Sequence, residues 1–404
     1  MTLKLTWRNL WRNRRRSLIT MSSIAFAVML AVVMGSLQKG VFDNLIQNVV
    51  SFYSGYLQVH HKGYWDEPVL DESFAEDTAL TGKLRGVPGV QAIVPRLETF
   101  ALASAGNLTK GCMVAGTDPA LEGKMTGLPG KITRGAYLDG RGSGIIVGEG
   151  LAAKMRLGVN DTIVLLGQGY QGSMAAGKYR ILGLLKFGAP QLNETMVYMD
   201  LATARSFTGA ENMLTSLAFG LDDRRELRSI QQAVRQLVGS EYEVMTWEEM
   251  MPEIENHIRA DGASLSIMTG VLYMIIAFGL FSTVLMMMAE RRFEFGMLIA
   301  IGMKKAALAR MLILENLMIT LIGTLLGMAI SLPVVLYLQY RPLRFTGKVA
   351  AAYEQFGFEP IFPAALDGGI FLNQALTVVA IALVIGLYPM VHVARINPVE
   401  AMKK

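Results

Sequence analysis

Ala289-Glu290-Arg291-Arg292-Phe293-Glu294-Phe295-Gly296-Met297-Leu298-Ile299-Ala300-Ile301-Gly302-Met303-Lys304-Lys305 is a short charged stretch hemmed in by apolar ones. Before it, Gly262–Ala289 runs without a charged residue between Asp261 and Glu290, and after it Asn316–Tyr340 does the same between Glu315 and Arg341. A hydrocarbon core of roughly 30 Å is crossed by about 20 apolar residues in helical form. Both flanking runs meet that length, so the quoted stretch reads as a connector at one membrane face. Two more runs qualify, Ser17–Gln38 after Arg16 and Gly368–Val391 between Asp367 and His392. Four spans are therefore expected, at 17–38, 262–289, 311–340 and 368–391. Pro333 is expected to kink or end the outer part of the third.

Composition agrees. Of 404 residues 52% are apolar and only 18% charged, against about 25% charged in soluble domains. The net charge of +5 is unevenly spread: residues 1–39 hold seven Lys or Arg and no acid, whereas 40–261 hold 20 basic and 26 acidic residues. The basic excess lies beside apolar runs, which speaks against a nucleic-acid surface. Short segments rich in Lys and Arg stay cytoplasmic. That rule puts the arm with Lys4, Arg8, Arg12, Arg14, Arg15 and Arg16 inside, together with the 290–310 loop and the 392–404 tail. The acidic segment 39–261 and the loop 341–367 fall outside, although Arg341, Arg344 and Lys348 offend the rule mildly. The first run exceeds the about 7–15 apolar residues of a cleaved leader and no small-x-small site follows it, so it reads as a retained span.

Small residues recur at four-residue spacing in the first span, Ser23, Ala27, Ala31 and Gly35, and again at Gly323 and Gly327 in the third. Such stripes let a second helix approach closely in lipid, although small residues are also simply common in membrane helices. Within residues 1–16, Leu3, Trp7, Leu10 and Trp11 make an apolar stripe with the cations largely off it, which suits a helix lying in the inner headgroup layer.

The segment 39–261 is long enough for a complete core. Gly144–Val147, Thr162–Leu166, Tyr179–Leu185, Met196–Tyr198 and Ser216–Leu221 read as strands. Leu227, Ile230, Val234 and Leu237 stripe a helix that begins after Asp222 or Asp223, and Thr246 with Glu249 is a capping box for a helix leading to the second span. An α+β domain is expected, split into a sheet-rich and a helical part. Gly167–Gly177, with four glycines, reads as a flexible protruding hairpin or loop: an ordinary connection, or a hook offering Tyr170 and Met174 to a partner.

Enzyme signatures do not assemble. No Gly-rich phosphate loop is completed at Gly177-Lys178-Tyr179 or Gly347-Lys348-Val349, and there is no Gly-x-Ser-x-Gly elbow. His60 and His61 with Asp66 and Glu67 make a weak metal site, so none is expected. Cys112 stands alone and reads as a small core residue. The spans are nearly free of ionisable groups, which favours an external energy source over ion coupling.

The quoted connector resembles the ER-x-x-E-[IF]-G-x-L-x-A-[IL]-G pattern of the FtsX/MacB superfamily of ABC permeases. Trp7-Arg8-Asn9-Leu10-Trp11-Arg12 through Arg16-Ser17 is similar to that family's opening. Tyr388-Pro389-Met390, Ala394 and Pro398-Val399-Glu400-Ala401-Met402 are similar to its ending, with Met402 in place of Leu. Gly111–Pro119, Ile146–Ala152 and Gly158–Asp161 look most like the lipoprotein-releasing, Lol-type members, with Asn160 where Gly often lies. The resemblance implies a type VII ABC permease: four transmembrane helices plus an α+β periplasmic domain. In this family the connector is the coupling helix that docks on the ATPase. That assigns coupling to Glu290, Arg291, Arg292, Glu294, Gly296, Leu298, Ala300 and Gly302, the last as its C-cap.

It implies further a bacterial inner-membrane subunit with no catalytic residues and no cofactor of its own, ATP and Mg being held by two partner ATPase subunits. A second permease chain, identical or homologous, would pack through the first and second spans. The cargo would be a lipoprotein drawn from the outer leaflet, with a possible periplasmic carrier. Efflux of small molecules through a periplasmic adaptor, or ATP-driven control of a cell-wall hydrolase, are the alternatives.

Overall fold

The computed structural model describes residues 2–12, 14–47, 54–140, 142, 144–355 and 360–395. They form two compact units, a helical one from 1–43, 258–344 and 361–404, and a sheet-rich one from 44–257 and 345–360.

Four long apolar helices dominate the helical unit: Arg14–Ile46, Pro252–Glu290, Lys305–Tyr340 and Gly368–Arg395. Each outruns the uncharged stretch that predicts it, because charged residues at a helix end keep its backbone bonds without having to enter hydrocarbon. The second begins on Pro252 with Glu253 and Glu255 in its first turn, a residue that needs no backbone donor followed by anions at the positive end of the dipole. At 39 residues it is about 58 Å long at the standard helical rise. Pro333 neither ends nor interrupts the third helix, which continues to Tyr340. The N-terminal segment is helical over Thr2–Arg12, and the first long helix is described from Arg14.

Close packing within the helical unit explains the small residues. A Cβ on Gly323 would sit 2.9 Å from Ile24 Cβ, and one on Gly327 2.6 Å from the Ala25 carbonyl oxygen. The third helix thus lies directly on the first, as small residues permit in membranes. Ala27 and Ala31 are buried in this same chain at 6% and 2% exposure, in or beside a cluster with Val28, Val32, Ile276 and Val378. A Cβ on Gly35 would sit 3.3 Å from Ile370 Cγ2, while Ser23 is exposed and returns its hydroxyl to the Ile19 carbonyl.

The sheet-rich unit is built on ten strands: β1 (Leu57–His61), β2 (Val90–Ala105), β3 (Leu108–Thr117), β4 (Ile132–Gly135), β5 (Ile145–Gly148), β6 (Thr162–Gln168), β7 (Met174–Leu185), β8 (Met196–Asp200), β9 (Ser216–Leu221) and β10 (Tyr242–Thr246). Their order is β10-β1-β9-β2-β3-β8-β5-β7-β4, with β6 joining β2 to β7. Six strands therefore close a circuit of hydrogen bonds, β2-β3-β8-β5-β7-β6 and back to β2. Alternation fills its inside with Ala101, Ala103, Cys112, Val114, Ile163, Leu165, Ala175 and Val197. Burial pushes the Cys112 thiol up to about 12, which leaves it an inert core group.

The expected division into a sheet part and a helical part is replaced by this large sheet, with a two-stranded one of Phe74–Ala75 and Met213–Leu214 beside it, and helices laid on it. Leu227–Val238 covers the β10 side with Leu227, Ile230 and Val234. The capping box at Thr246 and Glu249 is formed, but it caps only Trp247–Met250, and the chain breaks at Met251 before the second long helix. The Gly167–Gly177 stretch is a hairpin, one of the two forms its glycines suggest. β6 and β7 run through most of it, and the turn is tied down by Gly169 N–H to the Ser173 carbonyl at 2.7 Å and Gln171 N–H to Asp71 Oδ1 at 2.8 Å.

Candidate functional site

The connector folds into a nine-residue helix, Arg292–Ala300, between the second and third long helices. So short a helix is marginal alone, and three features hold this one. Phe295, fully buried, enters a cluster with Val284, Met287, Leu308, Leu312 and Val393. At the C-terminal end Met303 N–H bonds to the Leu298 carbonyl and Gly302 N–H to the Ile299 carbonyl, both at 3.0 Å. That pair of bonds is a Schellman stop, and Gly302 has the positive φ, +103°, that its position requires.

At the N-terminal end the helix has no side-chain cap and is held by charge instead. Arg291, 7% exposed, donates Nε to Glu294 Oε2 at 2.9 Å and Nη1 to Glu315 Oε2 at 3.4 Å, with its guanidinium 5.3 Å above the Phe295 ring. Glu294 also accepts both of its oxygens' bonds from Arg12 Nη2, at 2.6 and 2.9 Å. Arg16 Nη1 donates to Glu290 Oε2 at 2.7 Å. Burial pushes the Glu294 carboxyl up, but the hydrogen bonds from Arg291 and Arg12 outweigh it and hold the group below the usual carboxylate range.

Beside the exposed Arg292, an apolar row faces outward. Phe293, Met297 and Ile301 are 55%, 41% and 78% exposed, and their four-residue spacing puts them on one face. The helix is thus anchored on one side and offers a hydrophobic ridge on the other, the form taken by helices that seat in a partner's groove.

The residues marked in the sequence divide by side. Arg291 and Gly296 are buried, Leu298 is half-buried in the Phe295 cluster, Glu290 and Glu294 carry the ion pairs, and Arg292, Ala300 and Gly302 are exposed. The ridge residues and the partners Arg12, Arg16 and Glu315 escaped sequence reading. The ridge was detectable as a four-residue apolar repeat inside the quoted stretch. The ion pairs made by those three partners join residues 24 to 282 positions apart, a separation no local pattern reports. In the sheet-rich unit Tyr170 packs against the core and only Met174, 86% exposed, projects.

Comparison with known proteins gives two family matches that together span most of the chain. Residues 17–237 match the MacB-like periplasmic core domain and residues 266–398 the FtsX-like permease C-terminal domain. The lipoprotein-releasing system transmembrane protein LolC of Xylella fastidiosa is 22% identical over 97% of this chain and 95% of its own length. LolE of Haemophilus influenzae is 21% identical over 80% of each. The pyoverdine export ATP-binding/permease protein PvdT of Pseudomonas syringae pv. tomato is 23% identical over 99% of this chain, which spans 59% of that protein. Among solved structures, the periplasmic region of MacB from Actinobacillus actinomycetemcomitans aligns with 50% of this chain and 92% of its own at a TM-score of 0.35 and 14% identity.

Proposed function

Because the chain belongs to the FtsX/MacB family of ABC transporter permeases, we propose that it couples ATP hydrolysis by a separate ATPase to the release of lipoproteins from the outer leaflet of the inner membrane. The observation that carries this reading is the connector helix, anchored by Phe295 and the Arg291 ion pairs while Phe293, Met297 and Ile301 stay outward. A ridge of that kind on a charge-fixed helix can take a push from a moving partner without turning in place.

In this reading four helices span the membrane, both termini lie in the cytoplasm and the sheet-rich unit lies in the periplasm. Two ATPase subunits dock under the connector helices of two permease chains, identical or homologous. ATP and Mg belong to those partners, and this chain supplies no catalytic group. Closure of the ATPases moves the connector, and the 39-residue second helix carries the displacement outward. A lipid-anchored cargo leaves the bilayer by that motion, without a continuous aqueous pore, and a soluble carrier can receive it at the external domain. The nearly full-length match to LolC supports lipoprotein as the cargo.

Export of an amphiphile through an adaptor is the second reading, favoured by the 99% coverage of this chain in the match to PvdT. Depleting the protein and quantifying lipoproteins in separated inner and outer membranes decides between them. Retention of outer-membrane lipoproteins in the inner membrane is expected; an unchanged distribution would overturn lipoprotein release in favour of efflux.

A further inference from the structure

The connector helix is held at its N-terminal end by charges that come from the far end of the sequence. Arg12, in the last turn of the N-terminal helix, presents its guanidinium to both oxygens of Glu294. One turn on, at the start of the first long helix, Arg16 reaches Glu290, the last residue of the second long helix. The N-terminal helix that carries Arg12 is itself fixed in rotation. Leu10 is buried at 1% exposure, its carbonyl accepts the Ser17 hydroxyl at 3.0 Å, and Trp7 and Trp11 lie exposed and edge-to-face at 5.9 Å. Tryptophans so placed favour the membrane–water interface.

We infer that Arg12 and Arg16 are positioning residues for the connector helix: the N-terminal helix acts as a strut that fixes, through Glu294 and Glu290, the angle at which the ridge Phe293-Met297-Ile301 meets its partner. The inference rests on the permease reading for the purpose of the ridge, but the strut itself rests only on the ion pairs. Their geometry suits the task. Arg12 places a single nitrogen, Nη2, against both Glu294 oxygens, and the guanidinium stays charged at any pH the protein meets. Glu294 is shared with Arg291, so the strut ends on the group that Arg291 links to Glu315 in the third long helix. An arginine arm serving only to orient the chain in the membrane would need cations in this segment, but not these two carboxylates opposite them.

The test uses the full-length chain in phosphatidylethanolamine–phosphatidylglycerol nanodiscs and reads amide hydrogen exchange over 292–300, with 145–148 as a control for the folded state. Arg12→Gln should speed exchange in the connector about two- to fivefold, the shift a partly exposed ion pair supports, and Arg12→Lys should lie between. The Arg16 pair permits a charge swap. Arg16→Glu and Glu290→Arg should each speed exchange, and the double variant should return it to near the native rate. In the same preparations, ATP hydrolysis by the co-purifying ATPase should lose its dependence on the permease in the single variants and regain it in the swap. Unchanged exchange in Arg12→Gln, or a swap no better than its worse single variant, would overturn the strut. Absence of any co-purifying ATPase would instead strike the permease reading, with the exchange result still deciding the strut.

Discussion

Two arginines, Arg96 in the sheet-rich unit and Arg291 beside the connector, solve the same problem in opposite ways. Arg96 is fully buried and so is its partner Glu122, which it meets at 2.7 and 3.0 Å while Thr117 completes the carboxylate's bonds. Glu98, 8% exposed, adds a second anion at 3.7 Å. Burial alone would lower the Arg96 pKa, but Glu122 and Glu98 raise it above its ordinary value. Arg291 begins nearly as deep, with Glu315 4% exposed, yet its chain of pairs climbs outward through Glu294 at 38% to Arg12 at 55%. A closed buried cluster has one acceptable geometry, because any displaced charge is stranded without water. A graded chain anchors at its inner end and can exchange partners with solvent at its outer end for little. The first arrangement builds a hard body, the second a brace that is firm inside and weaker at its outer end.

The largest break in that contrast is Arg96→Met, which strands Glu122. It should destabilise the sheet-rich unit by about 3–5 kcal/mol, read from denaturant unfolding followed by strand exchange. Adding Glu122→Leu should recover most of the loss; if it does not, the cluster contributes more than mutual neutralisation. Glu315→Leu should cost less, about 2 kcal/mol, because Arg291 retains Glu294. Gly302→Ala forces a Cβ into a positive-φ stop and should cost about 1 kcal/mol locally while uncoupling ATP hydrolysis from export. Full export in that variant would count against the connector as the transmitting part.

The smallest effect belongs to His60, buried beside Tyr64 and Trp65 with Nε2 unsatisfied. Burial lowers its pKa below the ordinary 6.5, and the nearest anion, Glu243 at 3.9 Å, is too exposed to offset this. The folded state therefore disfavours the proton that the unfolded chain accepts. Stability should be level above pH 6.5 and fall as the pH drops below it, by at most about 1.4 kcal/mol per unit. His60→Gln should flatten that slope.

The helical unit was legible because hydrophobic length is a local property: Asp261, Glu290, Glu315, Arg341 and Asp367 mark where apolar runs stop. The connector's stop was legible through Gly302, and five strands through short apolar runs. The longest strand, β2, was missed. β2 carries Pro95, Arg96 and Glu98 in its middle, and these read as polar interruption until Glu122 arrives from the following helix to neutralise Arg96. The same blindness hid the strut, since Arg12 and Arg16 look like topology signals until Glu294 and Glu290 are seen opposite them.

The closed circuit of strands has a consequence for how the protein is made. β8, the last of the six to be synthesised, lies between β3 and β5, so the circuit cannot form until Asp200 has cleared the translocation channel. Until then the β3 edge of the long β2–β3 hairpin must wait without its partner, the state in which nascent sheets are captured by chaperones or by one another. Biogenesis of this subunit is therefore most vulnerable during the interval in which residues 118–200 are being delivered.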